Sequence, residues 1–170
     1  MSIYYFNMSN IFKLPSETKI GHVHLKVSNL QRSIDFYCGV LGFELTFIQD
    51  GRAAFVSAGG YHHHIGLNVW YSENLPPSPK KSVGLFHTAI LLPTRKDLAQ
   101  LYKQLKEANY PLTSAYDHGV SEALYLDDPD KNGVELYWDR PQDQWPTHED
   151  GLLYMYSDKL DPEILLKEFE

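Results

Sequence analysis

Three side chains far apart in the sequence, His22, His87 and Glu135, share one property. Each lies on a strand-like run at a position facing away from the expected core. In residues 20–28, IGHVHLKVS, Val23, Leu25 and Val27 alternate with His22, His24, Lys26 and Ser28, the pattern of a half-buried strand. In residues 84–92, GLFHTAILL, His87 lies with Leu85 and Ala89, opposite Phe86, Thr88 and Ile90. In the run from Val134 to Trp138, Glu135 and Tyr137 oppose Val134, Leu136 and Trp138. If these strands line the inside of one curved sheet, two imidazoles and a carboxylate converge as a facial triad with open positions. That donor set suits non-haem iron(II), and also manganese or zinc. A lone strand histidine is more often hydrogen-bonded structure than ligand. These two stand above that reading because equivalent strands of an internal repeat both carry one.

The repeat is strand, helix, three strands, given twice. After the first strand, Asn29 is a suitable N-cap for a helix from Leu30 to Val40, with Leu30, Ile34, Tyr37 and Leu41 as its apolar stripe. Gly42 is placed to stop it. Strands are expected at Phe43 to Ile48, Ala53 to Ser57 and His62 to Trp70, with a hairpin turn at Asp50-Gly51 and a break at Gly59-Gly60. Pro76, Pro77 and Pro79 then mark a linker. The second unit opens with a buried strand over 84–92. Its helix runs from Arg95 to Asn109 behind a capping box at Thr94 and Asp97, with Leu98, Leu101, Leu105 and Ala108 inward. Three strands follow, near Leu112 to Ala115, Ala123 to Asp127 and Val134 to Trp138. The last two are joined by the turn from Asp128 to Gly133. The expected fold is α+β: two paired βαβββ modules forming an open cup-shaped mixed sheet with helices outside. The expected divisions are an N-terminal extension (1–19), a first module (20–71), a Pro-rich linker (72–83), a second module (84–138) and an acidic C-terminal extension (139–170). Asp161 and Pro162 would start a last short helix.

Composition narrows the classes. Fifteen basic against 22 acidic side chains in 170 residues leave −7, which disfavours nucleic-acid binding. The acid is concentrated: residues 139–170 hold nine acids and three bases, reading as a solvated extension. No run approaches a membrane span. Met1 to Leu14 lacks the charged and apolar regions of a signal sequence. Cys38, the single cysteine, reads as a buried, inert thiol in a cytoplasmic protein.

The stretch GHVHLKVSNLQRSIDFYCGVLGFEL resembles the first module of the vicinal oxygen chelate superfamily, which includes glyoxalase I, fosfomycin and bleomycin resistance proteins and extradiol dioxygenases. YLDDPDKNGVELYWDRP is similar to its terminal module, and the likeness covers roughly residues 20–140. The resemblance implies a divalent metal in a cup, with His22, His87 and Glu135 at the ligand positions and His24 where relatives contact substrate. A fourth ligand, as in glyoxalase I, would fall at Gly66, which has no side chain to supply it.

DHGVSEALYLDDPDKNGVE matches the extradiol pattern, placing His118 at the second-sphere acid/base and Tyr125 before the final Glu. Lys131 departs from the glycine usual in that turn. His62 and His64 are expected on one face and His63 on the other, so that His64, Asn68 and Trp70 line the pocket with His24. The histidine-rich strand and the segment through Trp145 and Pro146 look most like short proteins similar to catechol 2,3-dioxygenase. The resulting expectation is an Fe(II)- or Mn(II)-dependent oxidoreductase acting on a small vicinal diol or phenol. Zinc or nickel would suit other members, and a homodimer formed by module swapping is permitted by the linker. The alternatives are a metal-free, bleomycin-resistance-like binding protein, a glyoxalase I-like lyase, and a fosfomycin-type thiol transferase. A phosphonate substrate needs cationic groups, and the expected cup faces offer few, with Lys26 the main candidate, which argues against the last.

Overall fold

A computed structural model describes residues 12–170. The expectation for Met1 to Leu14 falls largely outside the described residues. The first unit comprises β1 (Val23–Lys26), α1 (Leu30–Ile34), β2 (Glu44–Gln49), β3 (Ala53–Ser57) and β4 (Ile65–Asn68). The second comprises β5 (His87–Leu91), α2 (Arg95–Glu107), β6 (Ser114–Asp117), β7 (Ser121–Asp127) and β8 (Gly133–Asp139). A two-residue strand, β9 (Asp158–Lys159), and a 3-10 helix (Pro162–Phe169) end the chain. The sheets have orders β1-β4-β3-β2 and β5-β8-β7-β6-β9, with β1–β4 and β5–β8 parallel. This is the expected pair of βαβββ modules.

Local chemistry accounts for most element boundaries. The Asn29 side chain accepts from Arg32 N at the start of α1. Thr94 and Asp97 make the reciprocal capping box of α2. Asp50 and Gly51 both have positive φ, as a two-residue hairpin turn requires. The Asp128 carboxylate is buried in the β7–β8 turn and accepts from the backbone N–H groups of Asp130 and Asn132. In that turn Lys131 takes φ +65°, the region glycine favours.

Four expectations are corrected. The first helix is α-helical only to Ile34; Asp35–Val40 is a π-helical turn, with Leu41 N donating to Phe36 O. The strand expected over His62 to Trp70 is only Ile65–Asn68, because Gly59 and Gly60 open a loop at positive φ that runs through His64. The buried strand expected over 84–92 is an edge strand, His87–Leu91, and Phe86 is 88% exposed. The acidic C-terminal segment is not merely solvated: Leu165 is fully buried, and Glu163 accepts from Lys106 Nζ and Tyr102 OH on α2.

One apolar core joins the modules, running from Leu25, Phe36 and Leu67 to Leu98, Leu124 and Leu136. Polar ties cross with it. Ser28 and Arg32 both bond Asp130, and the buried Tyr37 donates to Asp128 Oδ2 at 3.2 Å. The modules therefore meet through α1, α2 and the β7–β8 turn. Among the described residues the two sheets share no ladder, and β1 and β5 are both free edges. No described helix is long and apolar enough to cross a membrane.

Candidate metal centre

Alternation along β5, β7 and β8 sends Val134, Leu136, Thr88 and Ile90 to one face and His87, Glu135 and Tyr125 to the other. The register pairs Tyr125 with Glu135 and Ala89 with Glu135. The polar side chains form a continuous row. His87 Nε2 stands 2.9 Å from Glu135 Oε2. Tyr125 OH donates to Glu135 Oε1 at 2.8 Å, and His118 Nε2 lies 2.9 Å from the Tyr125 oxygen. His118 Nδ1 faces the Tyr156 carbonyl at 3.0 Å and Ser157 Oγ at 3.1 Å. Burial, then the Glu135 carboxylate, push the Tyr125 phenol well above its ordinary value, so it keeps its proton. A cavity of about 890 Å³ is lined by three members of this row, His87, Tyr125 and His118, together with Tyr116 and the linker preceding β5.

His22 is elsewhere. Its ring stands 4.5 Å from that of His63 at the start of the first sheet. His24 lies across Gly66, where a Cβ would stand 2.9 Å from the imidazole, and its ring is 5.5 Å from Trp70. Burial, then the neighbouring His22, lower the His24 imidazole. His64 Nδ1 accepts from Ala58 N and meets Ser57 Oγ. Asn68 shares this face but is buried and bonded to backbone, donating to Leu25 O and accepting from Trp70 N. His63 was expected on the opposite face. It stands instead beside His22 and Phe55, because it lies in the loop and not on a strand.

The structure thus brings His87, Glu135, Tyr125 and His118 together and leaves His22, His24, His64, Asn68 and Trp70 on the other sheet. Among the described residues no three His, Cys, Asp or Glu side chains gather at one point. The pair His87–Glu135 fits two corners of a divalent site. Ligand atoms about 2.1 Å from an ion and at right angles stand about 3 Å apart, close to the spacing seen here. His87 Nδ1 is buried without a partner, so the ring makes its polar contact through Nε2 alone. The third imidazole is missing from this corner.

Tyr116, Tyr156 and Ser157 were not foreseen. The Tyr116 ring stacks on His118 at 5.9 Å, and its place opposite Ala123 in the β6–β7 ladder could have flagged it. Nothing in the sequence pattern ties residues 156 and 157 to His118. Cys38 is half-buried, and burial, then Asp35, push its thiol up, in keeping with an inert role.

Comparison with known proteins agrees with this architecture. A family model described as the Glyoxalase/Bleomycin resistance protein/Dioxygenase superfamily matches residues 19–136. The chain is 39% identical over 153 residues to catechol-2,3-dioxygenase of Bacillus subtilis (strain 168), covering 89% of this chain but only 52% of that protein. It is 30% identical to biphenyl-2,3-diol 1,2-dioxygenase 3 of Rhodococcus globerulus, over 83% of this chain and 72% of that one. It is 25% identical to the metallothiol transferase FosB of Staphylococcus haemolyticus, over 80% and 94%. A glyoxalase/dioxygenase structure from Nostoc punctiforme superposes with TM-score 0.63 at 19% identity, covering 78% of this chain and 99% of that one, a likeness of fold. The chain therefore spans about half the length of the Bacillus subtilis relative.

Proposed function

The chain belongs to the glyoxalase/bleomycin resistance protein/dioxygenase superfamily, and from that premise we propose that it is an extradiol dioxygenase-like enzyme acting on a small vicinal diol or phenol. The observation that carries this reading is the unbroken row His87–Glu135–Tyr125–His118, of which His87, Tyr125 and His118 line one cavity. His87 and Glu135, with His22 as third ligand, would hold a divalent metal, Fe(II) or Mn(II). When bound, that ion supplies a site for both substrate oxygens and redox chemistry with dioxygen.

The chain's own residues supply orientation and proton handling. Tyr125 fixes Glu135 Oε1, leaving Oε2 turned toward His87. The Tyr156 carbonyl can only accept, so Nδ1 of His118 carries a proton. The single Tyr125 proton goes to Glu135, so the Tyr125 oxygen can only accept at His118 Nε2; Nε2 is the atom that can take up a proton, donate it toward Tyr125 and return it. That matches the need of an acid/base group at the wall of a cavity. Ring cleavage of a catechol has a use for each of these groups; a binding cleft has none. Lys80 and Lys131 also line the cavity, which favours a substrate with an acidic substituent and keeps an anionic thiol-transferase substrate in the screen.

His22 reaches such a centre if a second copy lays its first sheet over this cavity. Supporting this are two free sheet edges, β1 and β5, and exposed aromatics on the first sheet, Phe47, Tyr61 and Trp70, that a partner would cover. The test is metal content and aerobic catechol turnover of wild type and Glu135→Ala. Near-stoichiometric iron or manganese, lost in the variant, is expected. Mixing His22→Ala with Glu135→Ala subunits should then restore about a quarter of the wild-type sites, because each mixed dimer rebuilds one of two. No restoration would place the centre within one chain. No metal in either protein after reconstitution would leave the metal-free binding reading.

A further inference from the structure

The family match ends at residue 136, yet residues beyond it touch the cavity wall. The segment from Arg140 onward is fastened to the second module at both ends. At the near end the Arg140 guanidinium forks the Asp117 carboxylate at 2.7 and 2.9 Å and donates to Gly119 O at 3.1 Å. Trp145 Nε1 donates to Arg140 O at 2.7 Å. At the far end Leu165 is buried, Glu163 bonds Lys106 and Tyr102, and Glu168 bonds Arg95. Between the ends, β9 adds to the edge of the second sheet by pairing with Tyr116 and Asp117.

The middle of the segment closes directly on the residue after His118. Gly119 has φ +78°, and a Cβ there would stand 2.6 Å from Tyr156 Cε1 and 2.8 Å from Pro146 Cγ. Only glycine permits that approach. It brings the Tyr156 carbonyl and the Ser157 hydroxyl to the same atom, His118 Nδ1, at 3.0 and 3.1 Å. Covering a sheet edge requires strand pairing alone. Two oxygens aimed at one imidazole nitrogen do something more.

We propose that residues 140–170 form a positioning strap whose Tyr156 carbonyl and Ser157 hydroxyl hold the His118 proton on Nδ1, so that Nε2 is the nitrogen presented to Tyr125 and the cavity. In a neutral imidazole one nitrogen donates and the other accepts, and the partner of one fixes the role of the other. Without the strap the one remaining partner of the ring is the Tyr125 oxygen, an acceptor that draws the proton to Nε2. Ser157 and Tyr156 are positioning residues that act through His118. The consequence for catalysis rests on the dioxygenase reading; the tautomer itself does not.

The test uses the full chain labelled with ¹⁵N-histidine and free of metal, where ring nitrogen shifts report which nitrogen carries the proton. Wild type is expected to show His118 protonated at Nδ1. Ser157→Ala should raise the share of the Nε2-protonated form about fivefold, the effect of one lost hydrogen bond. Ser157→Thr, which keeps the hydroxyl, should restore the wild-type pattern. Tyr156→Gly, which loosens the contact with Gly119, should go further than Ser157→Ala. In metal-loaded protein Ser157→Ala should lower kcat about tenfold at unchanged KM and metal content. A wild-type His118 protonated only at Nε2 would overturn the proposal. So would folded Ser157→Ala and Tyr156→Gly proteins with the wild-type tautomer. The expected tautomer shifts in a protein that binds no metal would support the strap while removing the dioxygenase reading.

Discussion

The first strand of each module, β1 and β5, has the same place in its sheet, paired in parallel with the module's last strand. Their outward faces are filled differently. In the first module His24 stands beside Gly66, and the His22 ring stands against His63; in the second, His87 and Ala89 stand beside Gly133 and Glu135. In three of these pairs a bulky polar group faces a residue with little or no side chain. His24 lies over Gly66, Ala89 leaves room for Glu135, and Gly133 leaves room for His87. One cross-strand slot accepts one large group, because opposed Cβ atoms are only about 5 Å apart. The module whose last strand fills the slot gains a carboxylate beside its imidazole; the module whose first strand fills it gains a second imidazole. That is why one face carries a connected acid/base row and the other a cluster of exposed histidines.

The comparison breaks if the two glycines are interchangeable, and the largest effect expected tests this. A Cβ at Gly133 would stand 2.3 Å from Phe86 O, a backbone atom that cannot step aside. Gly133→Ala should destabilise by about 3 kcal/mol, read as a lowered denaturation midpoint. A Cβ at Gly66 meets only the His24 ring, which is exposed and free to rotate. Gly66→Ala should cost less than about 1 kcal/mol. Equal losses would sink the account of the slots.

A second prediction sharpens it by copying one module into the other. The double variant His24→Ala, Gly66→Glu reproduces the Ala89–Glu135 pairing next to His22. It should bind zinc or nickel about tenfold more tightly than wild type by calorimetry. Gly66→Glu alone should not, since His24 keeps the space. Tighter binding by the single variant would show that the imidazole does not block the position.

The smallest effect concerns the outer strands. In the second module Arg140 clasps Asp117, whereas β2 in the first is exposed along its length and has no such clasp among the described residues. Burial pushes the Asp117 carboxyl up, but the Arg140 fork and the Gly119 N–H outweigh it and hold it below the usual range. A depressed carboxyl stabilises the fold above its unfolded value, near pH 4, and the gain disappears as pH falls through the folded one. Asp117→Asn should therefore lose about 1 kcal/mol at pH 7, after screening by solvent, and almost none at pH 2. A loss independent of pH would point to packing and not charge.

The legible parts of the molecule were those with a local cause. Strand alternation assigned the correct face to His22, His24, His87 and Glu135. The caps at Asn29 and Thr94, the Asp50-Gly51 turn and the N-cap at Asp161 were read from residues in contact within a few positions. The likeness around Tyr125 singled out the two groups, His118 and Tyr125, that the structure joins at 2.9 Å. The misreadings arose where the backbone leaves its regular period. Alternation does not extend back through His62 to His64, where Gly59 and Gly60 have already broken the strand. The 3.6-residue helical spacing fails from Asp35 to Val40, where the backbone widens to a π turn. The apolar run GLFHTAILL implies burial, yet its place at the sheet edge leaves Phe86 exposed.

By itself the sequence determined which side chains each strand presents, because alternation and capping depend on neighbours along the chain. Tertiary structure decided which of those faces meet. The modules join through Tyr37, Asp128 and Asp130, contacts across about 100 positions that no period encodes, and so His22 lies on a different sheet from His87 and Glu135. It also decided that an acidic tail, read as solvated, crosses back to His118. That return depends on a glycine small enough for Tyr156 to approach and on an arginine holding the strap at its root. Hydrogen bonds between distant residues follow from how the chain packs, and composition alone does not contain them.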